Sequence, residues 1–205
     1  MSEKEALVSH VEEFPNFPFT DFRQLGVALA SGFAHLAVDR RLALTWAQGG
    51  PYASSRVRYI TTLTTWLPML SALGFIIWVI VSKSWLMLFA LPLWIIGYVV
   101  YHPGIGSFFG PIRTLLIGLT FFGFVYGLLT SRPRMAALCA GLVLIWYGIR
   151  VTYSLSVGNL IRAASSHEDL FCALWQDEKM SIEMKNGDRY LKTYKVMNGE
   201  FVHYA

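Results

Sequence analysis

The chain contains no aspartate or glutamate between Asp39 and Glu168, although the whole sequence has 13 acidic residues. Ten Lys or Arg residues and almost all of the long apolar runs fall inside this interval. Carboxylates are costly in hydrocarbon, whereas Lys and Arg lay their methylene stems along lipid and hold their charge at anionic headgroups. The interval therefore indicates a lipid bilayer, and its lack of acids argues against carboxylate-based proton or cation transport.

Patterns that hold metals, cofactors or disulfides are also missing. Cys139 lies inside an apolar run and Cys172 far beyond it, so neither a disulfide framework nor a CxxC metal site is predicted. The five histidines are isolated in sequence, without HxxxH or HExxH spacing. The sequence predicts no metal site, no cofactor and no catalytic residue, and we expect that the protein is not an enzyme.

Composition supports a membrane protein. The chain is 55% hydrophobic and 15% aromatic, with a mean hydropathy of +0.46, which is more apolar than an ordinary soluble domain. The net charge of +4 comes from basic residues scattered at the ends of apolar runs rather than gathered on one face. Anionic phospholipid is therefore the expected partner, and nucleic acid is not. The N-terminus lacks the basic and apolar regions of a cleavable signal peptide.

The predicted fold class is a mainly α membrane protein with four transmembrane helices arranged as two helical hairpins. Each apolar run approaches or exceeds the length needed to cross ~30 Å of hydrocarbon at 1.5 Å per residue. The transmembrane domain is placed at residues 59–157, with spans at 59–81, 85–101, 112–130 and 135–157.

The two hairpins resemble each other when the chain is shifted by 49 residues. The shift places Gly74 on Gly123 and Ser82 on Ser131. A parallel internal repeat would produce this match, and so would chance similarity between two Leu-, Ile- and Gly-rich segments. Both interpretations stay open at the level of sequence.

Basic residues that flank the spans predict the orientation of the chain. Six Lys or Arg residues lie on the side of the two termini, and three lie in the two hairpin turns. Both termini are therefore expected in the cytoplasm of a multi-pass protein. The SRPR turn, with Arg132 and Arg134, disagrees with this orientation. A hairpin that only dips into the bilayer would remove the conflict.

Arg150 is the charge whose surroundings in the spans are most unusual, because it lies beside Trp146 and Tyr147. One interpretation is a guanidinium that snorkels to the interface within an aromatic belt. The sharper hypothesis is a site for a lipid headgroup or for another subunit, in which Arg150 acts with Arg113 and Arg58.

The N-terminal part is predicted as a polar segment, 1–20, followed by an interfacial amphipathic helix, 21–47. Asp21 and Gln24 form a capping-box-like start, and large apolar residues recur from there at helical spacing. Asp39 is interpreted as the end of this interfacial helix. Three small residues repeat at four-residue spacing and are candidates for close helix packing: Gly26, Ala30 and Ala34.

A soluble C-terminal tail, 166–205, is predicted to be a small cytoplasmic α+β domain with one helix and a three-stranded β-meander. Ser166 and Asp169 resemble a capping box before the helix. Two Asn-Gly pairs, at 186–187 and 198–199, predict two-residue hairpin turns.

The predicted turns fix the register of the tail strands. Ile182 is expected opposite Leu191, and Tyr194 opposite His203. One face of this sheet would then present candidate docking residues together: Tyr190, Tyr194 and Phe201.

The predicted function is an integral membrane accessory, anchoring or assembly subunit of a larger complex, without catalytic activity and in contact with anionic lipid. Its partners would be other membrane protein subunits or further copies of the chain. Two alternatives belong to other classes: an oligomeric channel or transporter built from the repeated hairpins, and a membrane-shaping hairpin protein.

Overall fold

The fold is described by a computed structural model, which covers residues 8–15, 17–101, 110–192, 194–197 and 200–203. At 110–113, 194, 197 and 200–203 only the backbone is described. The chain forms two compact units. The α/β unit comprises Met1–Val57 and Ser156–Ala205, and the apolar unit comprises Arg58–Leu155.

The described residues form seven α-helices, five β-strands and two 3₁₀ segments, Val11–Glu13 and Trp85–Ala90. The helices are α1 (Phe22–Ala30), α2 (Arg40–Gly49), α3 (Ser55–Val81), α4 (Pro92–Tyr101), α5 (Gly110–Leu129), α6 (Pro133–Ser166) and α7 (Glu168–Gln176). The strands are β1 (Ala34–Val38), β2 (Met180–Met184), β3 (Arg189–Tyr190), β4 (Tyr194–Met197) and β5 (Glu200–His203).

Two helices, α3 and α6, are long and apolar enough to cross a membrane. Their 27 and 34 residues correspond to ~40 Å and ~50 Å at 1.5 Å per residue, which exceeds the ~30 Å hydrocarbon thickness. The second and third predicted spans fall in shorter helices, and the second begins as a 3₁₀ segment. The first and fourth predicted spans therefore have span-length helices, whereas the four-span arrangement is not established by length and composition.

The apolar unit exposes many large hydrophobic side chains. Phe89, Leu86 and Leu129 are 84%, 81% and 80% exposed, respectively. Only 17% of the most apolar stretch of α3 is buried, whereas a core helix of a soluble protein would be mostly covered. Soluble monomers rarely expose contiguous apolar surface on this scale, so the composition of this surface favours membrane association.

The two hairpin turns of the apolar unit have the same backbone geometry. Ser84 N–H donates to Val79 O at 3.0 Å, and Arg132 N–H donates to Gly127 O at 2.8 Å. These bonds close Schellman motifs, in which a residue with positive φ ends the helix. Equivalent donors are 48 residues apart, whereas the sequence match used a shift of 49 residues. The matched identities therefore do not fall on equivalent turn positions.

The α/β unit contains a five-stranded antiparallel sheet in the order β1-β2-β3-β4-β5. Its first strand comes from the N-terminal part of the chain, because Leu36 pairs with Ile182 and Val38 with Met180. The three-stranded meander predicted for the tail is thus one side of a larger sheet. Its two ends are β1 and β5.

The core of the α/β unit is built from both ends of the chain. Buried residues of the N-terminal segment join residues of α1, β1, α2, the end of α6, α7 and β2 in one hydrophobic cluster. Val11 and Phe14 are buried in it, and Phe17 packs edge-on against Phe171 and Trp175. The segment predicted as polar, 1–20, therefore supplies apolar side chains to the core.

The continuous interfacial helix predicted at 21–47 is wrong. Asp21 does cap α1 and accepts a hydrogen bond from Gln24 N–H at 2.6 Å, but α1 ends in a Schellman motif at Gly32, whose φ is +70°. The chain then forms β1, in which Ala34 and Leu36 are buried. Hydrogen bonding to β2, which is distant in sequence, outweighs the local helical spacing.

Asp39 does not end a helix but starts α2. Its carboxylate accepts hydrogen bonds from Arg41 N–H and Leu42 N–H, at 2.7 Å and 2.9 Å, which is the geometry of an N-cap. The predicted capping box at Ser166 and Asp169 is also wrong. Ser166 is the last residue of α6, and His167 occupies the N-cap position of α7.

The predicted register is right for the second tail hairpin and wrong for the first. Tyr194 pairs with His203 as expected, although the turn at 198–199 lies outside the described residues. In the first hairpin Ile182 pairs with Tyr190 instead of Leu191. The two-residue turn predicted there is wider, because Met184 N–H bonds to Asp188 O at 2.8 Å. A shift of one residue moves each side chain to the opposite face.

Candidate functional site

A polar pocket of about 250 Å³ lies in the α/β unit where the α2–α3 loop meets the end of α6. Its lining residues are Trp46, Tyr52, Ser54, Val57, Asn159, Arg162, Ala163, Ser166 and His167. The lining combines one guanidinium, one imidazole and several hydroxyl groups, and no carboxylate is among these residues. Its chemistry suits an anion with oxygen acceptors.

The loop between α2 and α3, which lines the pocket, is fixed by contacts of the Trp46 side chain. Trp46 donates its indole N–H to Pro51 O at 2.8 Å. The Trp46 ring lies against Gly50, where an added Cβ would be only 2.2 Å from a ring carbon. Tyr52 adopts a φ of +61°, which is unfavourable for a residue with a side chain. The loop therefore keeps a strained conformation that aims Tyr52 at the start of α7.

Tyr52 closes one wall of the pocket. Its ring stacks on His167, with centroids 3.8 Å apart and planes 10° from parallel. Its hydroxyl donates to Asp169 Oδ2 at 2.5 Å. This hydrogen bond lowers the pKa of Asp169 and raises the pKa of Tyr52, so both groups keep the protonation states that form it at neutral pH.

Arg162 provides the positive charge of the pocket. Its side chain is exposed and has no carboxylate or other side-chain partner within the part of the chain that the structure describes. The acids beside His167 have partners of their own. Glu168 accepts from Val11 N–H at 3.0 Å, and Asp169 accepts from the Tyr52 hydroxyl. The guanidinium therefore remains available for a ligand.

The helix α3 begins directly beside the pocket. Ser54 Oγ accepts a hydrogen bond from Val57 N–H at 3.2 Å and so caps this helix. The first turn of α3 has no acidic residue and instead carries Arg56 and Arg58, both exposed. Basic side chains at a helix N-terminus oppose the positive end of the helix dipole. An anion near Ser54 would offset the positive charge of the two arginines and the positive end of the helix dipole.

Arg58 and Arg150, two of the three arginines predicted as a lipid or subunit site, do not lie at one level along the helices. Leu67 and Gly148 mark where α3 and α6 touch, because a Cβ on Gly148 would lie 3.1 Å from the Leu67 side chain. Arg58 precedes Leu67 by nine positions and Arg150 follows Gly148 by two, so the antiparallel helices separate them axially by ~10 Å. The side chain of Arg113 lies outside the described residues.

Arg150 is exposed, and its guanidinium lies over the indole ring of Trp146, 5.4 Å from the ring centroid. This cation–π contact fits the snorkelling interpretation, in which the aromatic belt covers the arginine stem. A role of Arg58, Arg113 and Arg150 in binding a headgroup stays a prediction.

The predicted small-residue helix face does not exist as such. Gly26 and Ala30 lie on α1, but Ala34 is buried in β1 and pairs with Met184. Nothing lies within 4 Å of a Cβ placed on Gly26, so no helix approaches closely at that position within the described chain.

The predicted docking face of the tail is also divided. Tyr190 shares its face with Ile182, packs against the core cluster and has Lys195 Nζ 4.5 Å above its ring. Tyr194 and Phe201 fall on the other face by their register, and their side chains lie outside the described residues. Tyr190 is therefore a core-facing residue and not a docking residue.

A second pocket, of about 420 Å³, lies in the apolar unit. Its lining is almost wholly apolar and aromatic, and includes Trp66, Pro68, Met69, Trp94 and Ile95. Trp94, on its wall, donates its indole N–H to Ser71 Oγ at 3.1 Å. Such a groove suits hydrocarbon.

Within the described residues, no three His, Cys, Asp or Glu side chains are grouped so that they could hold a metal ion. Cys172 is fully buried, and burial raises the pKa of its thiol to about 12. Its thiolate is therefore scarce at neutral pH, and the residue packs as a small apolar side chain.

No protein-family model matches the chain, and no curated protein or solved structure is significantly similar to it. Function is therefore inferred from the geometry of the chain itself.

Sequence reasoning missed the pocket, although parts of its signal are visible. Arg162 is one of the six basic residues on the side of the two termini, and the loop 48–55 has the Gly and Pro residues of a turn. The pocket joins residues more than 100 positions apart, such as Tyr52 and His167. No local pattern reveals that contact, because it depends on how the two ends of the chain fold together.

Proposed function

We propose that the protein is a membrane-anchored accessory or assembly subunit, without catalytic activity of its own, that contacts anionic lipid. The observation that carries the proposal is the division of the chain into two chemically different units. An apolar helical unit with an uncovered hydrophobic surface lies between two sequence segments that fold together into one α/β unit.

The apolar unit supplies the anchor. Most of its large exposed side chains are Leu, Ile, Val, Phe, Met, Trp and Tyr, for which the bilayer is a more suitable environment than water. The acid-free interval covers the whole unit. The second predicted span is also close to membrane length. Its six residues of 3₁₀ helix and the ten residues of α4 add up to ~27 Å, compared with ~30 Å of hydrocarbon.

The α/β unit constrains the topology. Because β1 is hydrogen-bonded to β2, the chain before α3 and the chain after α6 lie on the same side of any membrane. The number of crossings between them is therefore even. Two crossings by α3 and α6 satisfy this condition, and so do the four crossings that we propose, with both termini in the cytoplasm.

The α/β unit also offers a surface for a partner subunit. Val27 and Phe33 are 64% and 51% exposed, and the two are neighbours because Phe33 N–H bonds to Ala28 O at 2.9 Å. Large apolar side chains exposed on an otherwise polar unit are typical of protein interfaces.

Purification of the tagged chain from its native membrane in mild detergent tests the proposal. We expect a second membrane protein at fixed stoichiometry, and we expect that the double substitution Val27→Ser with Phe33→Ser releases it. The pair Thr45→Ala with Gln48→Ala, exposed on α2 of the same unit, is the matched control and should retain the partner.

Other outcomes would replace the proposal. A homogeneous homo-oligomer that conducts solutes across liposomes would favour the channel or transporter. Tubulation of liposomes by the pure chain would favour membrane shaping. Either result, obtained without a stoichiometric partner, would refute the accessory role.

A further inference from the structure

We infer that the polar pocket of the α/β unit binds the phosphate group of an anionic phospholipid headgroup, with Arg162 as the main cation. The inference rests on the proposed membrane anchoring and assigns its lipid contact to a residue outside the set predicted from sequence. The pocket holds several water molecules' worth of space, about 250 Å³, so a small headgroup fits.

The first support is charge. Arg162 lines the pocket, is exposed and has no carboxylate partner within the described residues. Guanidinium groups present paired N–H donors that match two oxygens of a phosphate. The carboxylate of Asp169, which contacts the pocket residue Tyr52, already accepts the hydroxyl proton of that tyrosine.

The second support is the set of further donors that line the pocket with the guanidinium. The Ser54 hydroxyl accepts the Val57 N–H, so its own proton is available to donate to a ligand. His167 also lines the pocket, held flat against the Tyr52 ring. Donors from two segments far apart in sequence thus face one volume.

The third support is position along the chain. Ser54 immediately precedes α3, which is long and apolar enough to cross a membrane, and Arg162 lies one turn before the end of α6, the other such helix. The fourth predicted span ends at residue 157, five residues before Arg162, so Arg162 lies ~7.5 Å of helix beyond the hydrocarbon. Bilayer phosphates are found at that depth.

The test measures anionic lipid that stays bound to the full-length chain. The protein is reconstituted in nanodiscs of phosphatidylcholine with phosphatidylglycerol, then transferred to detergent and analysed by native mass spectrometry. We expect that Arg162→Gln lowers retained phosphatidylglycerol about tenfold, as for loss of a charge-assisted hydrogen bond. Arg162→Lys keeps the charge without the forked donors and should give an intermediate loss.

The matched control is Arg23→Gln, which removes an exposed arginine from α1 of the same unit and should leave retention unchanged. Arg162→Lys also keeps the inference testable if Arg162→Gln fails to fold. Equal retention by wild type and by either Arg162 variant would overturn the inference. An equal loss in Arg23→Gln would overturn it as well, because the effect would then be general charge.

A second arm separates lipid from free phosphate. Inorganic phosphate at millimolar concentration is expected not to displace the retained phosphatidylglycerol. Displacement would indicate that the pocket binds a soluble phosphate and would overturn the inference that it binds a lipid headgroup. Failure of the wild-type chain to float with vesicles would instead refute the proposed anchoring. A chain that floats but does not need Arg162 for lipid retention would refute the pocket alone.

Discussion

Four residues in turns and loops have a strained backbone conformation that is not predictable from their residue types. Tyr52, Lys83, Ser131 and Glu178 all have positive φ without being glycine. Three of them, Lys83, Ser131 and Glu178, occupy the position of a Schellman motif where glycine is preferred. A left-handed conformation costs such residues ~1–2 kcal/mol. Glycine avoids this cost, but its greater conformational entropy in the unfolded chain offsets part of the gain.

Ser131→Gly should therefore stabilise the turn between α5 and α6. We expect a gain of roughly 0.5–1 kcal/mol in the free energy of unfolding, seen as a rise of a few degrees in the thermal midpoint in nanodiscs. Ser131→Ala is the control, because alanine keeps the strain. An equal rise for alanine would show that φ is not the cause.

The Tyr52–Asp169 hydrogen bond should make stability depend on pH in a defined direction. The lowered pKa of Asp169 means that its contribution is present above pH ~4 and is lost as pH falls through the lowered value. The raised pKa of Tyr52 means that its contribution is present below pH ~10 and is lost as pH rises through the raised value. The bond therefore stabilises the fold between these limits.

Tyr52→Phe removes the hydroxyl and keeps the ring that stacks on His167. The thermal midpoint should fall relative to wild type between pH 5 and 9, and the two curves should converge below pH ~4 and above pH ~10. Tyr59→Phe, at a position 70% exposed, should differ little from wild type at any pH. A pH-independent difference for Tyr52→Phe would contradict the assignment.

At the scale of elements, β1 decides the architecture of the α/β unit. The segment was predicted as helix because Phe33 and Leu36 continue a helical spacing, yet Ala34, His35 and Leu36 also alternate as a strand does. Both patterns occur over such a short stretch. Pairing with β2 favours the strand, because it provides hydrogen-bond partners for the backbone N–H and C=O groups and because Ala34 and Leu36 are both buried there.

A cross-link tests this pairing. His35→Cys with Glu183→Cys places two thiols directly opposite each other on exposed positions, within the Cβ separation that a disulfide needs. We expect rapid oxidation to a bridged product with faster gel migration. The control, His35→Cys with Lys185→Cys, is a diagonal pair and should oxidise much more slowly. Equal rates, or no bridge in either, would contradict the register.

At the scale of the whole molecule, cysteine labelling measures the number of membrane crossings. Three single variants, Thr45→Cys, Ser82→Cys and Ser107→Cys, are each labelled with a membrane-impermeant maleimide on sealed vesicles of known orientation. The two native cysteines are buried and should contribute little background. Thr45→Cys and Ser82→Cys are expected to react from opposite sides, because α3 lies between them.

Ser107→Cys then separates two crossings from four. Reaction from the same side as Thr45→Cys supports four crossings, and reaction from the side of Ser82→Cys supports two. If Thr45→Cys and Ser82→Cys react from the same side, α3 does not cross and the anchoring proposal fails.

The sequence alone determined where the charges and the apolar runs lie, and its first and fourth predicted spans coincide with the two helices that are long and apolar enough to cross a membrane. These properties are local, since burial in lipid depends on composition along consecutive residues. It also indicated the cap at Asp21 and the register of the last hairpin, both of which depend on neighbours in the chain.

Only the tertiary structure decided that the two ends of the chain form one α/β unit. The pairing of β1 with β2, the stacking of Tyr52 on His167 and the pocket around Arg162 join residues separated by more than 100 positions. Their energies come from long-range burial and hydrogen bonding, which leave no period or spacing in the sequence. The acid-free interval thus has a second consequence, because α3 and α6, the helices that meet at the pocket, carry no carboxylate that could pair with Arg162.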